Sequence, residues 1–214
     1  MVIAIDGPSG VGKSTVSRAL AAALGLSYLD TGSYYRAATY VTLQSEADPS
    51  DQSAVLDALS SAKLAVVDGV LWLDGRNVAD ILRSPQVTAA VSIVAAHPLV
   101  RSLIVDMQRQ WVADAGGSAV VEGRDIGTVV FPDAEVKVFL TADTTTRVAR
   151  RSGDAEVSGA TVEQLRTEME RRDTADSTRT ASPLRPADDA VTIDTSSLTV
   201  AQTVKQILNL VGSP

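Results

Sequence analysis

The sequence predicts an α/β protein: a parallel five-stranded sheet flanked by helices, with a hairpin-containing insert and a helical lid. Three observations predict it. Short apolar, β-branched runs bounded by polar residues or glycine recur along the chain, as strands covered on both faces do. Stretches with helical apolar spacing alternate with them. Between the first strand and the first helix lies a glycine-rich turn, GPSGVGKST, at residues 7–15.

In chain order, the first strand is Val2-Ile3-Ala4-Ile5-Asp6. The helix behind the turn should cover 13–24, with Gly25 as its C-terminal cap. Leu26-Ser27-Tyr28-Leu29 is a second strand candidate, followed by a helix at 34–44. Residues 63–75 read as a hairpin turning at Asp68-Gly69, and a helical stretch follows from about Val78 to Val94. Roughly 63–95 is then an insert standing off the main sheet. Pro98 suits a first helical turn; Leu99, Leu103, Met107 and Trp111 recur every four residues until Gly116-Gly117 ends the helix. The remaining strands are 118–122, 136–141 and 190–194, and the remaining helices 161–173 and 199–210.

Composition narrows the function. A chain of 214 residues can form one domain with a sizeable core. No apolar run approaches the ~18–20 residues of a membrane span. The N-terminus shows no basic segment and no cleavable apolar stretch, so a cytoplasmic location is expected. Without cysteine, thiolate chemistry, disulfides and Cys-ligated metals are excluded, and the single histidine, His97, excludes a His cluster. Any metal must be a hard ion held by oxygens and by substrate. A net charge of −7 argues against a nucleic-acid surface. Yet arginine outnumbers lysine 15 to 4, and arginine's planar fork suits bidentate grip of phosphate. Genomic base composition could produce the same excess, so the positions of the arginines matter more than their number.

Gly7, Gly12, Lys13 and Ser14 match G-x-x-x-x-G-K-[ST], here preceded by a strand and followed by a helix. Glycines let the backbone curl so that successive N–H groups face an anion, and the helix aims its positive end at the same place. The stretch Gly7, Pro8, Ser9, Gly10, Val11, Gly12, Lys13, Ser14 and Thr15 is therefore expected to bind a nucleoside triphosphate. Lys13 would reach the β- and γ-phosphates and Ser14 would coordinate Mg²⁺. The fold class is then that of P-loop nucleoside triphosphatases.

Three classes share such a loop. A GTPase should carry Asn-Lys-x-Asp, and no Asn-Lys pair occurs. A transport or remodelling ATPase usually has a longer apolar strand ending in paired acids. Here the third strand ends in Glu122, with Asp125 three residues on, a magnesium shell of no distinctive kind. A kinase must align an anionic acceptor with the γ-phosphate and exclude water, so cationic residues should come from several segments. They do: Arg36 after Asp30-Thr31, Arg101, Arg124 at a strand end, Arg147-Val148-Ala149-Arg150-Arg151, then Arg171, Arg172 and Arg179. Two arginine-bearing arms around a glycine-containing loop are what a closing lid requires. Any single helix-borne arginine could equally be a solvated surface residue.

These pieces together resemble bacterial cytidylate kinases, of the nucleoside monophosphate kinase group. The resemblance rests on residues 5–14, on Asp30-Thr31-Gly32-Ser33-Tyr34-Tyr35-Arg36, on residues 122–134 beginning Glu122-Gly123-Arg124-Asp125, and on Glu170-Arg171-Arg172-Asp173 leading to Arg179 and Pro183-Leu184. It implies transfer of the γ-phosphoryl group of MgATP to CMP or dCMP. It implies acceptor contacts at Thr31, Arg36, Ser92, Arg101, Arg124, Asp125, Arg172, Asp176 and Arg179. Lys13, Arg124, Arg172, Arg147 and Arg151 would act on the transferring group. Arg171 and Arg172 are adjacent, and the sequence leaves open which faces the site. One kinase domain is implied, with a core (1–30, 97–143, 180–214), a monophosphate-binding region with insert (31–96) and a lid (144–179). A monomer with small-molecule substrates is expected, without nucleic-acid or membrane partners.

Overall fold

A computed structural model describes residues 1–67, 70–153 and 161–212. The chain forms two compact units, Met1–Leu29 with Val112–Pro214, and Asp30–Trp111.

The first unit holds the main sheet. Its strands are β1 (Val2–Asp6), β2 (Ser27–Asp30), β6 (Ala119–Gly123), β7 (Val136–Thr141) and β8 (Val191–Asp194), in the order β2-β6-β1-β7-β8. β1 pairs in parallel with β6 and β7, and β7 with β8. Ile3, Ile5, Val120, Val138 and Leu140 are buried on one face of the sheet and Ala4, Ala119 and Val121 on the other, which is why these strands read as apolar runs rather than alternations. α1 (Lys13–Leu24) adds Val16, Leu20 and Ala21 to that core, and α8 (Val200–Val211) adds Val204 and Ile207. As expected, Gly25 closes α1 in the left-handed region, its N–H donating to Ala21 O and Ala22 O.

Two helices extend this unit. α6 (Thr144–Ser152) begins at Asp143, whose side chain accepts from Thr146 N. Its sequence marks an arginine-bearing arm but no helix, because only Val148 on it is buried and no apolar stripe repeats. α7 (Val162–Thr178) starts with a capping box at Thr161 and Gln164, and runs a turn beyond the expected 173. The excess is polar, and within it Asp176 is buried and held by Arg124, while Leu165 and Met169 earlier in the helix pack with Val148 of α6. The loop expected between the two arms falls mostly outside the described residues.

The second unit is built on α2 (Thr31–Gln44), which packs against α3 (Gln52–Ser60) and α4 (Pro85–Val94). α2 starts three residues earlier than the spacing predicts: Ser33 Oγ donates to Asp30 O at 2.6 Å, and Gly32 is absorbed into the first turn. α3 was not legible; Asp51 caps it by accepting from Ser53 N and Ala54 N. The insert is a three-stranded antiparallel sheet of β3 (Leu64–Val67), β4 (Val70–Leu73) and β5 (Arg76–Asn77). The hairpin expectation holds in its pairing, Val67 opposite Val70, while the turn at Asp68-Gly69 lies outside the described residues. Trp111, on α5 (Pro98–Asp114), donates Nε1–H to Val66 O at 3.3 Å.

Candidate active site

The phosphate loop begins where β1 ends, and the register sets Asp6 of β1 beside Gly123 of β6. Strand C-termini therefore bring the loop and the Glu122–Asp125 segment side by side, at the crevice where open α/β sheets bind ligands. Gly7 is forced by packing: at φ 147°, a Cβ there would lie 2.3 Å from Leu140 O on β7. Gly10 and Gly12 have φ of 78° and 91°, conformations that side chains other than glycine adopt at a cost.

Lys13 is buried and donates Nζ–H to Gly7 O at 2.8 Å and Pro8 O at 2.7 Å. Burial, then the cation of Arg124, lowers its pKa to about 7 against the pull of Glu122, Asp6 and Asp176. Ser14 follows in the first turn of α1, half-buried, and Thr15 is exposed. Asp6 accepts from the backbone N–H of Ile126 and Gly127, each at 2.8 Å. Burial pushes its pKa up to about 6 despite those two donors. Its carboxyl thereby anchors a π-helical turn over Ile126–Val130, just beyond Asp125. Tyr28 OH donates to Glu122 Oε1, and Arg18 lies over the Tyr28 ring.

The end of α7 meets the end of β6. Arg124 Nε donates to Asp176 Oδ2 at 2.8 Å. Arg179 lies 3.6 Å from Asp125 and 3.9 Å from Asp176, and donates Nε–H to Ser182 O at 2.6 Å. Burial alone would raise the Asp176 pKa, but Arg124, Arg179 and Arg172 together hold it below the usual carboxylate range. Arg171 is exposed whereas Arg172 is half-buried beside Asp176, so Arg172 is the one that faces this cluster. On α6, Arg147 donates to Ser9 O at 2.7 Å and pairs with Asp173, whose carboxylate also accepts from Ser9 N at 3.3 Å. Arg151 is half-buried in the last turn of the same helix.

In the second unit, Thr31 and Arg101 are buried and Arg36 half-buried. Arg36 lies 3.9 Å from Asp30. Arg101 stacks over the Tyr35 ring, 5.0 Å from its centroid, and donates to Ala95 O at 3.1 Å. Ser92 sits on α4, half-buried.

A family model described as cytidylate kinase matches residues 3–213. The chain belongs to the cytidylate kinase family. As a member it is a kinase, a phosphotransferase acting on small-molecule nucleotides. A cytidylate kinase from Streptomyces avermitilis is 47% identical over 99% of this chain and 92% of its own length. One from Mycobacterium avium is 48% identical over 99% of this chain and 95% of its own. Among solved structures, TT1252 from Thermus thermophilus aligns with a TM-score of 0.51 at 16% identity, covering 100% of this chain and 98% of that one, a likeness of fold alone.

The sequence reading gave no individual role to four polar residues of the first unit, though Arg150 was among the candidate cations and Asp6 and Asp173 lay in the stretches that carry the resemblance. Asp6, Arg150, Asp173 and Thr195 all contact the phosphate loop or the turn beside it. Asp6 and Thr195 lie at or just past strand C-termini, a signal that could have found them. The partners of Asp173 and Arg150 were not legible, because Ser9 and Val11 lie over a hundred residues away in sequence.

Proposed function

We propose that this kinase transfers the γ-phosphoryl group of MgATP to CMP or dCMP, giving ADP and CDP or dCDP. The observation that carries the reading is the pairing of a buried cation, Lys13, with a half-buried one, Arg124, which are close enough for Arg124 to depress the Lys13 pKa. Such a pair suits a polyanion, which relieves the repulsion when it binds.

The roles follow from chemistry. Residues 7–15 present N–H groups, the Lys13 ammonium and the α1 N-terminus to the triphosphate. Arg124, Arg172, Arg147 and Arg151 neutralise charge on the transferring group. Thr31, Arg36 and Arg101 hold the acceptor phosphate, while Ser92, Asp125, Asp176 and Arg179 serve its base, sugar or phosphate. The attacking oxygen belongs to a phosphate already ionised at neutral pH, so no general base is required. Catalysis is alignment and charge neutralisation.

The donor set fits Mg²⁺. Among the described residues no cluster of three or more His, Cys, Asp or Glu could cage a metal, whereas Mg²⁺ takes few protein oxygens and keeps water and phosphate ligands. Ser14 would hold it, with Glu122 buried opposite Ile5 in the sheet register. Bound there, Mg²⁺ supplies charge neutralisation at the phosphate oxygens. We read the protein as a monomer in the cytoplasm. No single described helix is long and apolar enough to cross a membrane.

The test is coupled ADP release with ATP and a panel of acceptors: CMP, dCMP, UMP, AMP and shikimate. Turnover should be greatest with CMP or dCMP. A preference for AMP or shikimate would overturn the acceptor assignment, and ATP binding without transfer to any acceptor would overturn the kinase reading.

A further inference from the structure

Helix α6 holds the phosphate loop at two points three residues apart along its own face. Arg147 Nε donates to Ser9 O at 2.7 Å, and Arg150 Nη1 donates to Val11 O at 3.2 Å. Thr195, just past β8, completes the second contact. Arg150 donates to Thr195 Oγ1 at 2.9 Å and Thr195 O at 2.7 Å. Thr195 Oγ1 in turn lies 3.0 Å from Val11 O and from Thr141 O. Val11 and Thr195 are buried, and the bond between Thr195 Oγ1 and Val11 O is itself buried.

The direction of the bonds matters. In a trans peptide, the carbonyl of one residue and the N–H of the next point opposite ways. Fixing Ser9 O and Val11 O toward α6 turns the N–H groups of Gly10 and Gly12 to the other side, where a bound phosphate accepts them. Glycines at 10 and 12 adopt left-handed conformations easily but also leave them easily, because their unfolded freedom is large. A loop of this composition needs an external hold to keep its N–H groups converged.

We propose that Arg150 is a positioning residue for phosphoryl transfer. It keeps the loop in its anion-binding curl through Val11 O and Thr195 and touches no substrate. Its Nη1 and Nη2 are engaged by backbone and hydroxyl oxygens. Arg147 of the same helix holds the loop one contact away, at Ser9 O, and pairs with Asp173. The inference rests on residues 7–15 being the triphosphate site.

The test measures binding of MgATP and of magnesium tripolyphosphate, which has no nucleoside, to wild type, Arg150→Met and Arg150→Lys, with thermal unfolding of each. Loss of a charge-assisted hold on the loop should weaken both ligands by a similar factor, about tenfold for Arg150→Met, and less for Arg150→Lys, which keeps one donor. The acceptor KM should not move. Weaker ATP with unchanged tripolyphosphate would place Arg150 against the nucleoside and overturn the proposal; so would unchanged binding of both. If Arg150→Met does not fold, Arg150→Lys is read by the same two ligands. Wild type that binds neither would remove the triphosphate site itself, and the inference with it.

Discussion

Arg124 and Asp176 form a partly buried ion pair, Nε to Oδ2 at 2.8 Å, that joins the residue after β6 to the last turns of α7. The carboxylate thus aims a guanidinium already next to Lys13. Burial opposes both charges, and each is kept ionised chiefly by the other.

Arg124→Ala should lower kcat by about 10³-fold or more, the scale of losing a guanidinium that neutralises a transferring phosphoryl group. The fold should persist, since Asp176 keeps Arg179 at 3.9 Å. Single-turnover kinetics beside thermal unfolding separate the two effects. Near-normal turnover would remove Arg124 from the chemistry.

Asp176→Asn probes the same pair through pH. The folded pKa of Asp176 is depressed, so its contribution to stability is present above the unfolded value, ~3.9, and is lost as pH falls through the lower folded value. The stability gap between wild type and Asp176→Asn should be full at neutral pH and shrink in acid. Urea unfolding at several pH values reads it; a gap that grows on acidification would contradict the pairing.

Lys13 has the opposite linkage. Its pKa in the free protein is lowered to about 7, so at pH 8 it is mostly neutral. A triphosphate favours the ammonium, raising the pKa on binding. Binding at pH 8 should therefore take up a proton, and affinity should fall as pH rises above 7. Calorimetry in buffers of differing ionisation enthalpy measures the uptake, and Lys13→Met should abolish it.

Gly7→Ala should destabilise the fold by about 1–3 kcal/mol, because φ 147° is a region that side chains avoid and the new methyl would meet Leu140 O at 2.3 Å. Chemical unfolding tests this, and a loss of ATP binding should accompany it.

Arg36→Ala should raise the KM for CMP about tenfold or more while leaving that for ATP near its wild-type value. Its partner in the second unit is Asp30, at 3.9 Å and half-exposed, so stability should change little. Equal shifts in both KM values would argue against an acceptor role.

Much of the site was legible before the fold. The candidate phosphate loop declares itself because gripping a phosphate would need glycines and a lysine at set spacing within ten residues, and Arg124-Asp125 because it closes an apolar strand. The choice between Arg171 and Arg172 was not legible. Both are helix-borne arginines, and only the turn of α7 beside Asp176 leaves the first exposed and brings the second to the carboxylate. α3 and α6 escaped for a related reason: with two buried apolar residues on one and a single valine on the other, neither carries a stripe.

By itself, then, the sequence determined the alternation of buried strands and helices, the glycine-rich loop between β1 and α1 and the class of chemistry, since each is written in residues near one another in the chain. Tertiary structure alone decided which distant groups meet that loop: Asp6 under the turn at Ile126, Asp173 at Ser9, and Arg150 with Thr195 at Val11. The physical reason is that hydrogen bonds to backbone carbonyls and amides leave no residue-type signature on the backbone partner. Only the packing of α6, α7 and the strand ends around β1 makes those partners.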